Sequence, residues 1–209
     1  MTRDLENYSV FFEMSGQPSL SSEGSDFVHL ESYLLNISGE ILREVGSEQE
    51  DEGEGEEFAT YERGVIEQVF FDSVGTVSGV KLLAKTARAE GQDVPRSIIL
   101  TSSGARAALD ELELAGMFKR SYVNVLVLAS VELAPEHDDL EVRLRTTARV
   151  IRELATDFDL VVAPVPSQMP DVTTWAPEKA ADSRLAMSFR RLSEDWMLVL
   201  SVEGLTFAR

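Results

Sequence analysis

Glu132 and His137 are the residues in the stretch Asn124 to Gln168 (NVLVLASVELAPEHDDLEVRLRTTARVIRELATDFDLVVAPVPSQ) whose chemistry suits proton abstraction. Glu132 lies near the end of an apolar run and His137 in the turn after Pro135, so either is a candidate general base. Each has a plainer role as well: Glu132 as a strand residue facing solvent or an arginine, His137 as an exposed loop residue. Asp138, Asp139 and Glu141 follow at once. Acids in the first turn of a helix stabilise it by about 0.3–1 kcal/mol each, because the helix dipole is positive there. Arg143 lies one turn into that helix and supplies the nearest positive charge.

Composition removes several other chemistries. There is no cysteine, so disulfides, thiolate metal sites and thiol nucleophiles are absent, and the two histidines, His29 and His137, leave little for a histidine-based metal centre. The net charge of −18 repels phosphate backbones and argues against direct nucleic-acid binding; an acidic decoy occupying the basic groove of a nucleic-acid-binding protein stays open. No run of apolar residues is long enough to span a membrane, and the first residues, MTRDLENYSVFFEM, do not read as a signal peptide. The expectation is a soluble, cytoplasmic chain with no membrane contact.

With 209 residues, 44% of them hydrophobic, the chain suits one sizeable core and one structural domain. It divides into an N-terminal strand and helix region over 1–45, an acidic flexible loop over 46–57 (GSEQEDEGEGEE) and a core over 58–209. The loop is a solvated segment or a tether for a basic partner. Val10-Phe11-Phe12 predicts a short strand followed by a serine- and glycine-rich loop, and Phe27 to Ile41 a strand passing into a helix. Helical spacing predicts helices over Tyr61 to Ser73 and Val77 to Ala89, or one helix interrupted near Gly75.

A short strand is expected over Pro95 to Leu100, then a helix from Ala105 to Leu114, capped by Ser102 or Ser103 and closed at Gly116. Tyr122 to Leu133 reads as a buried central strand. The helix Asp138 to Ala155 carries Leu140, Leu144, Ala148, Ile151 and Leu154 on one stripe, with arginines 143, 145, 149 and 152 mostly elsewhere. Leu160 to Ala163 is the next strand, parallel to the central one by the handedness of crossovers. A helix near Glu178 to Leu192 and a final strand Trp196 to Phe207, turning at Glu203-Gly204, complete the expectation.

The order VLVLASVELAPEH, amphipathic helix, DLVVAPVPSQ resembles the GNAT (Gcn5-related N-acetyltransferase) superfamily, whose central strand ends in a loop that feeds a helix. Leu185 to Leu192 followed by WMLVLSV is similar to that family's C-terminal helix and last strand, and the resemblance is clearest over 120–207. It implies an α/β fold: a mixed, mostly antiparallel sheet splayed at its parallel pair, with helices on both faces. It also implies an acyl-CoA site at Leu133, Asp138, Glu141 and Arg143. The family loop there reads Arg or Gln, two residues, Gly, one residue, Gly or Ala, so that backbone N–H groups approach a pyrophosphate closely. Here acids face the phosphates, and no glycine occurs between Glu132 and Gln168. Where the family commonly carries a tyrosine acid on its C-terminal helix, this chain has Ser188 and Phe189. The expectation is therefore a protein without a cofactor that has lost acetyl-CoA-dependent catalysis and binds a protein partner, a basic one suiting the acidic surface, or another ligand. The alternative is an active N-acyltransferase using acetyl-CoA or another acyl-CoA on an amine, with Glu132 or His137 as base.

Overall fold

The computed structural model describes residues 8–16, 34–48, 68–84, 103–114, 116–117, 123–156, 159–166, 169, 174–176 and 185–207. These form an α/β structure: a large, mostly antiparallel sheet of nine strands, with two helices among the described residues. The strands are β1 (Tyr8–Gly16), β2 (Leu34–Glu48), β3 (Gln68–Leu82), β4 (Val125–Leu133), β5 (Leu160–Pro164), β6 (Thr174–Trp175), β7 (Met187–Arg191), β8 (Trp196–Val202) and β9 (Leu205–Thr206). Helix α1 spans Ser103–Leu114 and α2 spans Leu140–Leu154. The sheet order is β1-β2-β3-β4-β5-β8-β7-β6, with β9 paired to β8. Among the described strands only β4 and β5 pair in parallel, joined through α2. Among the described residues no helix is long and apolar enough to cross a membrane.

Strands β4, β5 and β8 are apolar on consecutive residues because two cores share them. Leu126, Leu128, Val161, Ala163, Met197 and Val199 join one core with Val142, Leu144, Ile151 and Leu154 of α2. The residues between them, Val125, Val127, Leu160, Val162 and Leu198, join a second core with Ala105, Ala108 and Leu112 of α1. A strand buried on both sides reads as a continuous apolar run, as β4 does in the sequence. Tyr122 and Pro95–Leu100 lie outside the described residues. Helix α1 starts at Ser103, and the chain turns after it at Gly116, whose φ of 71° suits glycine. The last hairpin turns at Gly204, with φ 82°, as its sequence predicts.

Several expected helices are strands. Residues 34–48 form β2, so Phe27 to Ile41 does not pass into a helix within the described part, and the acidic segment begins inside the strand rather than in a loop. The described parts of the expected helices Tyr61 to Ser73 and Val77 to Ala89 are strand over 68–82, where β3 runs through both, with residues 61–67 and 85–89 outside the described residues and Ala84 helical. The strand carries a bulge. Gly75 pairs with Ile41 and Ser73 with Leu42, leaving Val74 as the extra residue, so Val74 and Val77, three apart, both enter the α2-side core. A bulge thus reproduces helical spacing. The helix expected near Glu178 to Leu192 is likewise a strand over Met187–Arg191, where Met187 and Phe189 are buried and Ser188 between them bonds Ser201 Oγ at 2.6 Å. The four-residue interval from Leu185 to Phe189 fits either period. Strand β1 is longer than the patch Val10–Phe12 and absorbs Ser15 and Gly16 from the expected loop. Among the arginines of α2, Arg145 departs from the expectation and is buried at 3% exposure.

A buried ion pair ties β3 to the β4–α2–β5 unit. Lys81 Nζ lies 3.2 Å from Asp159 Oδ2 and donates to the Leu154 carbonyl at the end of α2. Asp159 also accepts from Thr156 N and Thr156 Oγ1, both at 2.9 Å. Removing one member leaves a desolvated charge. Asp159→Ala is therefore expected to cost about 3–5 kcal/mol in urea unfolding, and Lys81→Met with Asp159→Leu much less. At Gly79 an added Cβ would sit 2.4 Å from the Val127 carbonyl oxygen, so Gly79→Ala is expected to lose about 2–3 kcal/mol, read as a lower Tm.

Candidate functional site

The parallel pair β4–β5 is matched only at Val125, Leu126 and Val127 against Leu160, Val161 and Val162. Beyond that point β4 stays with β3 through Leu133, while β5 stays with β8, Pro164 lying opposite Trp196. The two strands therefore part, and the sheet carries a split between their C-terminal halves. A bulge marks the place: Gly79 pairs with Leu128 and Ser78 with Ser130, leaving Ala129 unmatched. Bulges bend the strand that carries them, and they recur beside functional sites.

Backbone alternation shows what each wall of the split offers. Ala134 N donates to Val74 O, toward β3, so Leu133 and Val131, one and three residues back, turn their backbone groups to the split. On β5, Leu160 N donates to Asn124 O and Val165 N to Asp195 O, toward β8. Val162 and Pro164 therefore share the side of Leu160. Pro164 has no N–H, so the β5 wall lacks a donor there.

The loop at the mouth places the expected residues and engages them. Asp139 caps α2, its carboxylate accepting from Glu141 N at 2.9 Å. Arg143 pairs with Asp138 through Nη2 and Nε and donates from Nη1 to the Val131 carbonyl at 3.2 Å, on the split side of β4. Glu141 is turned sideways. It accepts from Trp175 Nε1 at 2.8 Å and lies 3.7 Å from Arg145 Nη2. The three acids of the loop thus contact groups of the chain itself, and one of the helix N–H groups that an anion would need is taken by Asp139.

The two candidate bases are held differently. Glu132 is exposed on β4, opposite Thr76 of β3. His137 is half-buried, its Nδ1 3.0 Å from Tyr8 Oη and its ring edge-on to that of Tyr8, with centroids 6.0 Å apart. The loop histidine is thus a packed partner of β1, to which Arg149 adds a hydrogen bond on the Tyr8 carbonyl. Tyr8, Arg145, Arg149 and Trp175 were not singled out by motif reasoning. The partners of Tyr8, Arg149 and Trp175 lie far along the chain, so no local pattern marks them, whereas Arg145 and Glu141 stand at a local i,i+4 spacing. Leu133 packs against the α2-side core while its backbone faces the split.

Among the described residues no group of three or more His, Asp or Glu side chains could hold a metal ion. A surface groove of about 600 Å³ lies between Trp175, Met187, Ser188, Ser201 and Leu205; neither Glu132 nor His137 lines it. The loop makes one energetic prediction. Asp139→Ala is expected to lower stability by about 1 kcal/mol, and Asp139→Ser to restore most of it, in chemical unfolding. No protein-family model, curated protein or solved structure matches this chain.

Proposed function

We propose that this chain is a GNAT-like protein that has lost acetyl-CoA-dependent catalysis and acts by binding, of a protein partner or of another ligand. Support for the GNAT-like part is the mostly antiparallel sheet with one parallel pair, joined by α2 and parted beyond its first residues. The two cores shared by β4, β5 and β8, one holding α1 and the other α2, fit the family's helices on both faces. Against the likeness stands the C-terminal segment, where a strand replaces the helix that the family uses for its tyrosine acid.

The observation that carries the loss of acyl-CoA chemistry is the loop at the mouth of the split. A pyrophosphate there needs free N–H groups and a positive potential. Asp139 already accepts from Glu141 N, Asp138 holds Arg143, and Glu141 adds a third carboxylate. Pro164 and the Arg143 contact on Val131 also remove backbone partners from the two walls. His137, committed to Tyr8, is a poor base for an incoming amine.

Calorimetric titration of the purified protein with acetyl-CoA at low salt tests the reading. No heat is expected up to millimolar ligand; micromolar binding sinks the proposal and restores the N-acyltransferase, with Glu132→Gln the next variant to assay.

A further inference from the structure

We infer that β1 is a docking edge for an extended, cationic peptide segment of a partner protein, which adds to the sheet as a further strand. The inference rests on the binding role proposed above and names its surface and partner class. Among the described residues β1 ends the sheet, so every second residue of its nine turns backbone N–H and C=O away from β2. Such an edge is a template for another strand, and proteins usually blunt it with proline, lysine, a bulge or brevity.

Among the described residues the other free edges are blunted, and β1 is blunted at its first residue alone, where Arg149 donates to the Tyr8 carbonyl. The β5 wall of the split has Pro164, the β4 wall has Arg143 on the Val131 carbonyl, and the opposite end of the sheet is the two-residue β6. Strand β1 contains no proline or lysine and pairs with β2 without a register shift from Tyr8 to Gly16. Two of its exposed side chains are large and apolar, Phe11 at 62% and Met14 at 51% exposure, beside exposed Glu13 and Ser15.

Charge decides the occupant. Glu13 is exposed on β1, on the same face as Phe11, and Phe11 lies opposite exposed Glu40 of β2. The nearby cations lie elsewhere: Arg43 sits opposite Tyr8, on the other face, and Arg149 reaches the Tyr8 carbonyl at the first residue of the strand. A lysine or arginine on an added strand meets these carboxylates, with Phe11 offering its ring to the cation. A second copy of this chain brings another net charge of −18 to the same edge, which disfavours it as the occupant.

The test uses the full chain and a labelled peptide of alternating lysine and valine, long enough to span β1, followed by fluorescence anisotropy and amide hydrogen exchange. Binding is expected to slow exchange across Tyr8–Gly16. Phe11→Lys with Met14→Lys, both at exposed positions, is expected to weaken it by roughly tenfold or more. Glu194→Ser with Glu203→Ser, at exposed turns of β8 on the opposite side of the sheet from β1, changes net charge equally and is expected to leave it near the parent value. Equal weakening by both pairs, equal binding of a glutamate–valine peptide, or unchanged exchange in β1 overturns the inference. So does sedimentation showing a dimer that Phe11→Lys with Met14→Lys abolishes, because the edge then belongs to a second copy. Acetyl-CoA binding in the calorimeter is a separate result: it strikes the proposed function and not the peptide measurements.

Discussion

Buried backbone groups must find partners, and at the centre of this sheet β4 and β5 provide them for each other over only three residue pairs. The rest of the architecture arranges itself around that shortfall. Strand β4 keeps β3 as its partner on one side, β5 keeps β8, and the groups left facing the split are dealt with locally. Arg143 reaches from α2 to the Val131 carbonyl, and proline at 164 removes a donor that would otherwise need an acceptor. At the closed end Lys81 and Asp159 hold β3, α2 and β5 together, so the strands separate from a fixed apex.

The acids of the loop take a different meaning from their partners than from their positions. In sequence Asp138, Asp139 and Glu141 are carboxylates where a phosphate-binding loop needs glycine and a base. In the structure they serve as an arginine's counterion, a helix cap and the acceptor of an indole N–H. With these groups engaged, the loop has little to offer an anion. The same economy fixes His137 against Tyr8, linking the loop to the first strand.

The segment from Val125 to Pro164 was legible because strand, helix and strand are local and their apolar patterns are unbroken there. Its parallel pairing followed from the handedness of a crossover. Strands β2 and β3 were not legible as strands. Leu34, Ile37 and Ile41 have helical spacing yet divide between two cores, and the bulge at Val74 puts Val74 and Val77 on one side at an interval of three. Periodicity reports a strand only while its phase is constant. Of the site, the loop acids and Arg143 could be placed from sequence, but Trp175, Tyr8 and Arg149 could not, since their contacts depend on tertiary closure.

The unmatched residues Val74 and Ala129 also constrain how these strands can change length. Each resets which side of the sheet the following side chains address. Excising Ala129 would leave Leu128 opposite Gly79 and Ser130 opposite Ser78 as a regular ladder, with Val131 and Leu133 still on the α2-side core, whereas loss or gain of one matched residue elsewhere in β4 would turn its neighbours over. Length variation in β3 and β4 is therefore tolerable at the unmatched residues, in steps of two, or as paired gains and losses that conserve phase, whereas single-codon deletions at matched positions exchange interior for exterior.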